Sequence, residues 1–337
     1  MIRAKAPLRI SFSGGGTDVS PYSEERGGVV LSITIDRYAY ASVRRKRGRG
    51  VTVRSLDYGM TIRHDARKPM AFDGKLDLVK AAINRMSPHR FGAGMEMYLH
   101  TDAPPGSGLG ASSTLVVAVI SALARWKQVP MTGYDVADLA YEVERVDLGI
   151  KGGKQDQYAA AFGGLNFIEF GRDATIVNPL RLSPEVMNEL EYSLLLCDTG
   201  KTRISGHIID DQVRNYVSRK KDAVDAMDEL KRITIDMKNA LLRGKLADFG
   251  ALLHDAWENK KNMAASITNA RLDELYALAR KKGAVGGKIT GAGGGGHMLF
   301  FCPFDRKHDV RDALEKVGAT VIPFHFEHQG CQTWEIA

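Results

Sequence analysis

From Pro104 the chain reads PPGSGLGASSTLVVAVISALARW, and this run leaves the backbone few choices. Pro104 and Pro105 stop whatever precedes them. Gly106, Gly108 and Gly110 open backbone angles that a Cβ would forbid. Ser112 and Ser113 then stand at the mouth of a long apolar stretch of helical character, where a serine oxygen can cap the first amides. A glycine loop feeding a helix N-terminus gathers unpaired N–H donors at the positive end of the dipole, so an anion is held without a cationic side chain. A capped helix behind a loose loop would explain the serines but not three glycines in five positions. The run predicts a phosphate cradle.

A chain of 337 residues exceeds one ordinary core and suits two. It is 44% hydrophobic and 26% charged, and no apolar run approaches the roughly 18 residues of a membrane span. Arg3, Lys5 and Arg9 interrupt what would be the apolar part of a secretion signal. Cys197, Cys302 and Cys331 lie far apart with no C-x-x-C pair, as suits a reducing compartment. A cytoplasmic protein with no membrane partner is expected. The net charge of +7 owes five cations to Arg44, Arg45, Lys46, Arg47 and Arg49. No aromatic residue interleaves them, as stacking on single strands would require, so no nucleic-acid partner is expected. The run is expected to form a solvated hairpin loop between YAYASV (38–43) and VTVRSL (51–56).

The first hundred residues are strand-rich, with LRISFS (8–13), VVLSITI (29–35), that hairpin and MEMYLH (95–100), and one helical stretch over 76–86. Helices then follow from Ser112, over 134–147, and from Gly153 to the Gly163-Gly164 stop, before the strand LNFIEF. Polar sequence over 171–178 offers a domain join. Beyond it, EYSLLLCD (191–198) has the pattern of a buried strand, and 205–242, 246–259 and 272–282 carry helical spacing. Strands over 297–302 and 320–326 close the chain. These elements predict an α+β fold of two domains, 1–173 and 174–337.

Glycine also clusters at GGGTD (14–18) and GAGGGG (291–296). The latter fits G-x-G-x-x-G, but the strand-like HMLFF follows where a dinucleotide site needs a helix. Gly200-Lys201-Thr202 is not the end of a Walker A loop, because Leu195 stands where that motif needs glycine. His325, His328 and Cys331 have a spacing open to metal ligation, yet they lie in an alternating segment with no fourth ligand nearby.

Taken in order, APLRISFSGGGTD (6–18), PPGSGLGASS (104–113) and KITGAGGGG (288–296) resemble the three motifs of the GHMP kinase superfamily across nearly the whole chain. GGKQDQYAAAFGG (152–164) and TGKTRISGHII (199–209) are similar to its heptose 7-phosphate kinase branch. The resemblance implies an N-terminal domain like domain 2 of ribosomal protein S5 and a ferredoxin-like C-terminal domain, with the site between them. It implies ATP as co-substrate, held by Pro105, Gly106, Ser107, Gly108, Leu109, Gly110, Ala111, Ser112 and Ser113. Mg²⁺ would be held by Ser112 and Glu144.

By the same resemblance Asp156 accepts the proton of the attacking hydroxyl, and Arg9 stabilises the transferring phosphate. Asp18, with Gly15, Gly16 and Thr17, would bind the sugar, and Gly293 and Gly294 would press against substrate and nucleotide phosphates. Gly14-Gly15-Gly16 replaces the glycine, glutamate, histidine triplet of galactokinases, which removes any role for that glutamate here. Lys201, Arg203 and Ser205 form a compact donor group beside a helix start, suited to a phosphate at the far end of the acceptor.

The expectation is therefore a soluble sugar kinase, a monomer or homodimer, acting on the anomeric hydroxyl of a heptose 7-phosphate. A kinase of a free sugar such as fucose or galactose is the neighbouring alternative. A sensor that kept the fold and lost the chemistry would lack a base or metal ligand. Asp156, Arg9, Ser112 and Glu144 are all present.

Overall fold

The computed structural model describes residues 1–48, 50–65, 67–87, 94–200 and 205–337. Its first sheet is built around the strand Ile2–Ser13, whose residues 6–13 are all buried. A strand that alternates has one wet face; this one is covered on both. The Ala111–Lys127, Lys221–Leu242 and Leu246–Met263 helices all pack against it.

Beside it runs Gly28–Lys46, a 19-residue strand that pairs with Ile2–Ser13 along most of its length. Its first part also pairs with Leu165–Phe170 and its last with Gly94–Thr101. The expected hairpin does not form. Gly94–Thr101 lies between Gly28–Lys46 and Gly50–Ser55, antiparallel to the former and parallel to the latter. Alternation says which face of a strand is buried, not which strand is its neighbour. The connection crosses the start of the inserted strand, where a Cβ on Gly94 would meet the Gly48 carbonyl at 2.7 Å and that of Lys46 at 2.8 Å. Arg44, Arg45, Lys46 and Arg47 are exposed, as expected of a solvated run.

The second sheet is antiparallel throughout, in the order Thr320–Ile322, Leu194–Asp198, His297–Phe301, Gly286–Ile289. Residues 191–193, expected in its first strand, instead end the Pro184–Ser193 helix, which Ser183 caps and Pro184 begins. The helical stretch 205–242 is two helices, Ser205–Val217 and Lys221–Leu242, broken at a positive φ on Arg219. The last expected strand is also two: Thr320–Ile322 stays in the second sheet, while Phe326–Glu327 and Gln332–Glu335 return to the first. We propose the division near residue 173, with these C-terminal strands crossing back over it.

The two halves share one core, in which Phe12 meets Phe249 edge-on with ring centres 5.2 Å apart. Polar contacts join them as well. The Ser13 and Thr234 hydroxyls are 2.7 Å apart, and Lys288 Nζ donates to the Ser11 carbonyl at 2.7 Å. Among the described residues no helix is long and apolar enough to cross a membrane.

Candidate active site

The glycine clusters converge on one cleft of about 450 Å³. In the middle cluster Gly106, Gly108 and Gly110 take φ of 77°, 77° and 79°, the left-handed region that turns successive amides to one side. Gly110, not a serine, caps the Ala111–Lys127 helix, and among the described residues no side chain bonds its first amides. Ser112 and Ser113 lie inside the first turn. The N-terminal N–H groups are thereby left to a ligand rather than consumed by a cap.

The third cluster packs on the second. A Cβ on Gly291 would lie 2.8 Å from Gly108 Cα, and one on Gly296 would lie 2.5 Å from the Ser107 carbonyl oxygen. His297 donates to that same carbonyl from its main-chain N at 3.0 Å and its Nδ1 at 2.7 Å. Gly291 and Ala292 line the cleft. Gly293 and Gly294, expected on the phosphates, turn away instead. Gly294 N donates to the Ile267 carbonyl at 2.8 Å, and a Cβ on Gly293 would sit 2.6 Å from that oxygen.

Arg9, only 3% exposed, binds all these parts together. Its Nε and Nη2 reach Asp156 Oδ1 at 2.7 and 2.6 Å, while Nη1 donates to the carbonyls of Gly108 at 2.7 Å and Thr290 at 3.0 Å. A guanidinium has five N–H donors, so one on Nη2 remains. Both contacts land on Oδ1, and Asp156 Oδ2 carries no hydrogen bond among the described residues. Asp156 sits in the first turn of the Gln155–Phe162 helix, where the dipole favours an anion. Gly110 lets it approach, since a Cβ there would meet Asp156 Cγ at 3.2 Å.

Asp18, 1% exposed, lines the cleft and braces that helix. It accepts from Gly16 N at 2.9 Å, Gln155 N at 3.0 Å and Gln155 Nε2 at 3.3 Å. Gly15 and Gly16 also line the cleft, but Thr17 does not. Its hydroxyl donates to the Gly14 and Val29 carbonyls and accepts from Val29 N, so it holds the loop shut from behind.

Glu144 belongs to a π-type turn, Val143–Asp147, a rare irregularity that concentrates at working sites. Ser113, rather than Ser112, is hydrogen-bonded to it, at 2.9 Å; Gln157 Nε2 and Arg145 Nη1 add bonds at 2.9 and 3.1 Å. Burial raises its pKa above the usual carboxylate range, against the nearby Arg145 charge and the Ser113 and Gln157 bonds. Ser112 is exposed on the cleft side of the same helical turn. A carboxylate and a hydroxyl facing one cleft are hard oxygen donors of the kind Mg²⁺ takes.

Lys201 and Arg203 lie outside the described residues, as does the Ser205 side chain; Gly206 and Ile209, next along, line the cleft. Among the lining residues that escaped the sequence reading are Lys260, Gln212 and Gln155. Lys260 donates to the Gly15 carbonyl at 2.7 Å, and burial, assisted by the repulsion of Arg9, lowers its pKa to about 8 despite the attraction of Asp18. Its signal was available: it continues the buried stripe Leu253, Ala256, Trp257 of its helix.

Two family models match the chain, GHMP kinases N terminal domain over residues 77–164 and GHMP kinases C terminal over 237–320. The chain belongs to the GHMP kinases, and is a phosphotransferase with a hydroxyl acceptor. It is 39% identical, over 99% of each chain, to a D-glycero-alpha-D-manno-heptose 7-phosphate kinase of Campylobacter jejuni. It superposes with TM-score 0.85 and 36% identity, over the whole of both chains, on a D-glycero-D-manno-heptose 1-phosphate kinase from Bacteriodes thetaiotaomicron. A galactokinase of Lactococcus lactis, at 20% identity and TM-score 0.77 over 99% of this chain and 95% of that one, shares the fold.

Proposed function

We propose that this chain transfers the γ-phosphoryl group of ATP to the C1 hydroxyl of D-glycero-D-manno-heptose 7-phosphate. The product is the 1,7-bisphosphate, a precursor for nucleotide-activated heptose. Among the relatives, one name specifies a heptose 7-phosphate and another a heptose 1-phosphate. Transfer to C1 of a 7-phosphate accommodates both, the first naming the substrate and the second the phosphate added.

The observation that carries the reading is the Arg9–Asp156 pair. In a buried site Arg9 is anchored by two main-chain carbonyls and Asp156 is held through one oxygen only. Asp156 Oδ2 takes the proton of the sugar hydroxyl as its oxygen bonds to phosphorus, and ADP departs with the electrons of the broken P–O bond. Arg9 directs its remaining N–H towards the charge that develops on the phosphoryl oxygens, without reorganising at that moment. The amides of the Gly106–Ser113 loop hold the triphosphate. Ser112 and Glu144 would hold Mg²⁺, which would neutralise phosphate charge there.

Incubation with Mg·ATP and a panel of sugars and sugar phosphates, followed by ³¹P NMR, tests the reading. A new anomeric phosphate with the heptose 7-phosphate is expected, and Asp156→Ala should lower kcat by about 10²-fold or more. Turnover of free fucose or galactose in preference to the heptose phosphate would overturn the choice of substrate. Full turnover by Asp156→Ala would overturn the base.

A further inference from the structure

Beside the loop that carries Gly15 and Gly16, polar groups are buried without partners. Gln212, from the Ser205–Val217 helix, is 4% exposed and lines the cleft, yet its Nε2 donor has no acceptor among the described residues. Gln155 Oε1 is likewise unpartnered. Lys260, 3% exposed, places one of its three N–H donors on the Gly15 carbonyl. The three side chains meet at the glycine pair. A methyl on Gly15 would stand 3.1 Å from Gln155 Nε2 and 3.6 Å from Lys260 Nζ, and one on Gly16 would stand 3.1 Å from Gln212 Oε1.

Leaving a buried donor or acceptor unpaired destabilises the chain, and native structures retain few such groups without a reason. Here the residues that carry the unpaired atoms line the cleft that holds the Arg9–Asp156 pair, and Gln155 adjoins Asp156 in the chain. We propose that Gln212, Lys260 and Gln155 read the acceptor's ring: Gln212 Nε2 and Lys260 Nζ donate to its neighbouring hydroxyls, and Gln155 Oε1 accepts from one. The inference rests on the kinase reading above and deepens it.

The mixture of donors and acceptor selects the ligand class. A phosphate dianion only accepts, and it would face both Gln155 Oε1 and the Asp18 carboxylate, to which Gln155 is bonded. A hydroxyl donates and accepts at once, so adjacent hydroxyls complete the set. The phosphate of a phosphorylated acceptor therefore lies away from this corner.

Gln212→Leu removes the donor at similar volume. It is expected to raise KM for the heptose 7-phosphate by about tenfold or more, and equally for the same heptose without its phosphate. KM for ATP should stay within about twofold, and Tm should not fall, since an unpaired buried amide is removed. A penalty confined to the phosphorylated sugar would make this a phosphate site and overturn the proposal. So would an unchanged acceptor KM accompanied by a lower Tm, which marks a structural amide. A second measurement does not depend on how well the variant folds: deoxy-heptoses turned over by the unaltered enzyme. One of them should lose about the same factor, and Gln212→Leu should add less than about twofold to that loss. If none loses it, the subsite does not read hydroxyls. Should the unaltered enzyme accept no heptose, the substrate proposed above fails, and the same comparison is made with whichever sugar of the panel it phosphorylates.

Discussion

Two corners of one cleft treat buried polar groups in opposite ways. Around Arg9 nearly every donor is answered from within the protein, by Asp156 and by carbonyls of the second and third glycine clusters. Around Gly15 and Gly16 the Gln212 and Gln155 side chains are left, among the described residues, with an unmet donor and an unmet acceptor. The first corner is preorganised for a step that is the same for any acceptor hydroxyl. The second is complete only when a ligand supplies the missing partners, which is how a site discriminates among acceptors.

If that contrast is right, variants at the first corner should act on kcat and variants at the second on acceptor binding. Arg9→Met is expected to have the largest effect, lowering kcat by about 10²- to 10³-fold with KM for the sugar little changed. Steady-state kinetics check it, and an effect mainly on the sugar KM would erase the distinction between the corners. Gly153→Ala comes next. Its Cβ would lie 1.9 Å from Asp18 Oδ2, so Asp18 must leave its bonds to Gln155. The acceptor KM should rise by about tenfold, equivalent to about 1.4 kcal/mol, while KM for ATP holds.

Lys260 sharpens the comparison through pH. Burial holds it at about 8 against a usual 10.5, with Asp18 attracting and Arg9 repelling its charge. Below about pH 8 the folded state bears the whole cost of that buried charge. As pH rises towards 10.5 the cost fades, because the lysine becomes neutral in the unfolded chain too. Lys260→Met should therefore gain Tm relative to its parent more at pH 7 than at pH 10, by on the order of 2 °C, in thermal melts at both values. The smallest effect is expected far from either corner. Arg45→Gln with Arg47→Gln, on the exposed basic run, should change kcat/KM by less than about twofold at physiological salt, where surface charges are screened beyond roughly 8 Å.

Much of the first corner was legible because glycine announces backbone geometry. Gly106, Gly108 and Gly110 all take the positive φ that their spacing suggested. The second corner was hidden inside ordinary amphipathic helices. Gln212 lies between buried Ile208 and Tyr216 at helical spacing, and Lys260 follows Ala256 and Trp257; a polar residue on such a stripe was the sign to read. Finer contacts were not legible. Ser113 bonds to Glu144 while Ser112 faces the cleft, because neighbouring positions on a helix point about 100° apart and only packing decides which faces in. Gly293 and Gly294 serve Ile267 rather than the cleft, for a glycine permits close approach without saying to what.

By itself the sequence determined where the backbone could turn, which segments would be buried, and that a glycine loop would lead into a helix start. These are local properties, set by φ, by side-chain period and by the helix dipole. Only the tertiary structure decided that Gly94–Thr101 would slip between two expected neighbours, that Arg9 would find Asp156, and that Gln212 and Lys260 would face the same two glycines. Those pairings join residues far apart in the chain, and such partners are chosen by how whole elements pack, which no local pattern encodes.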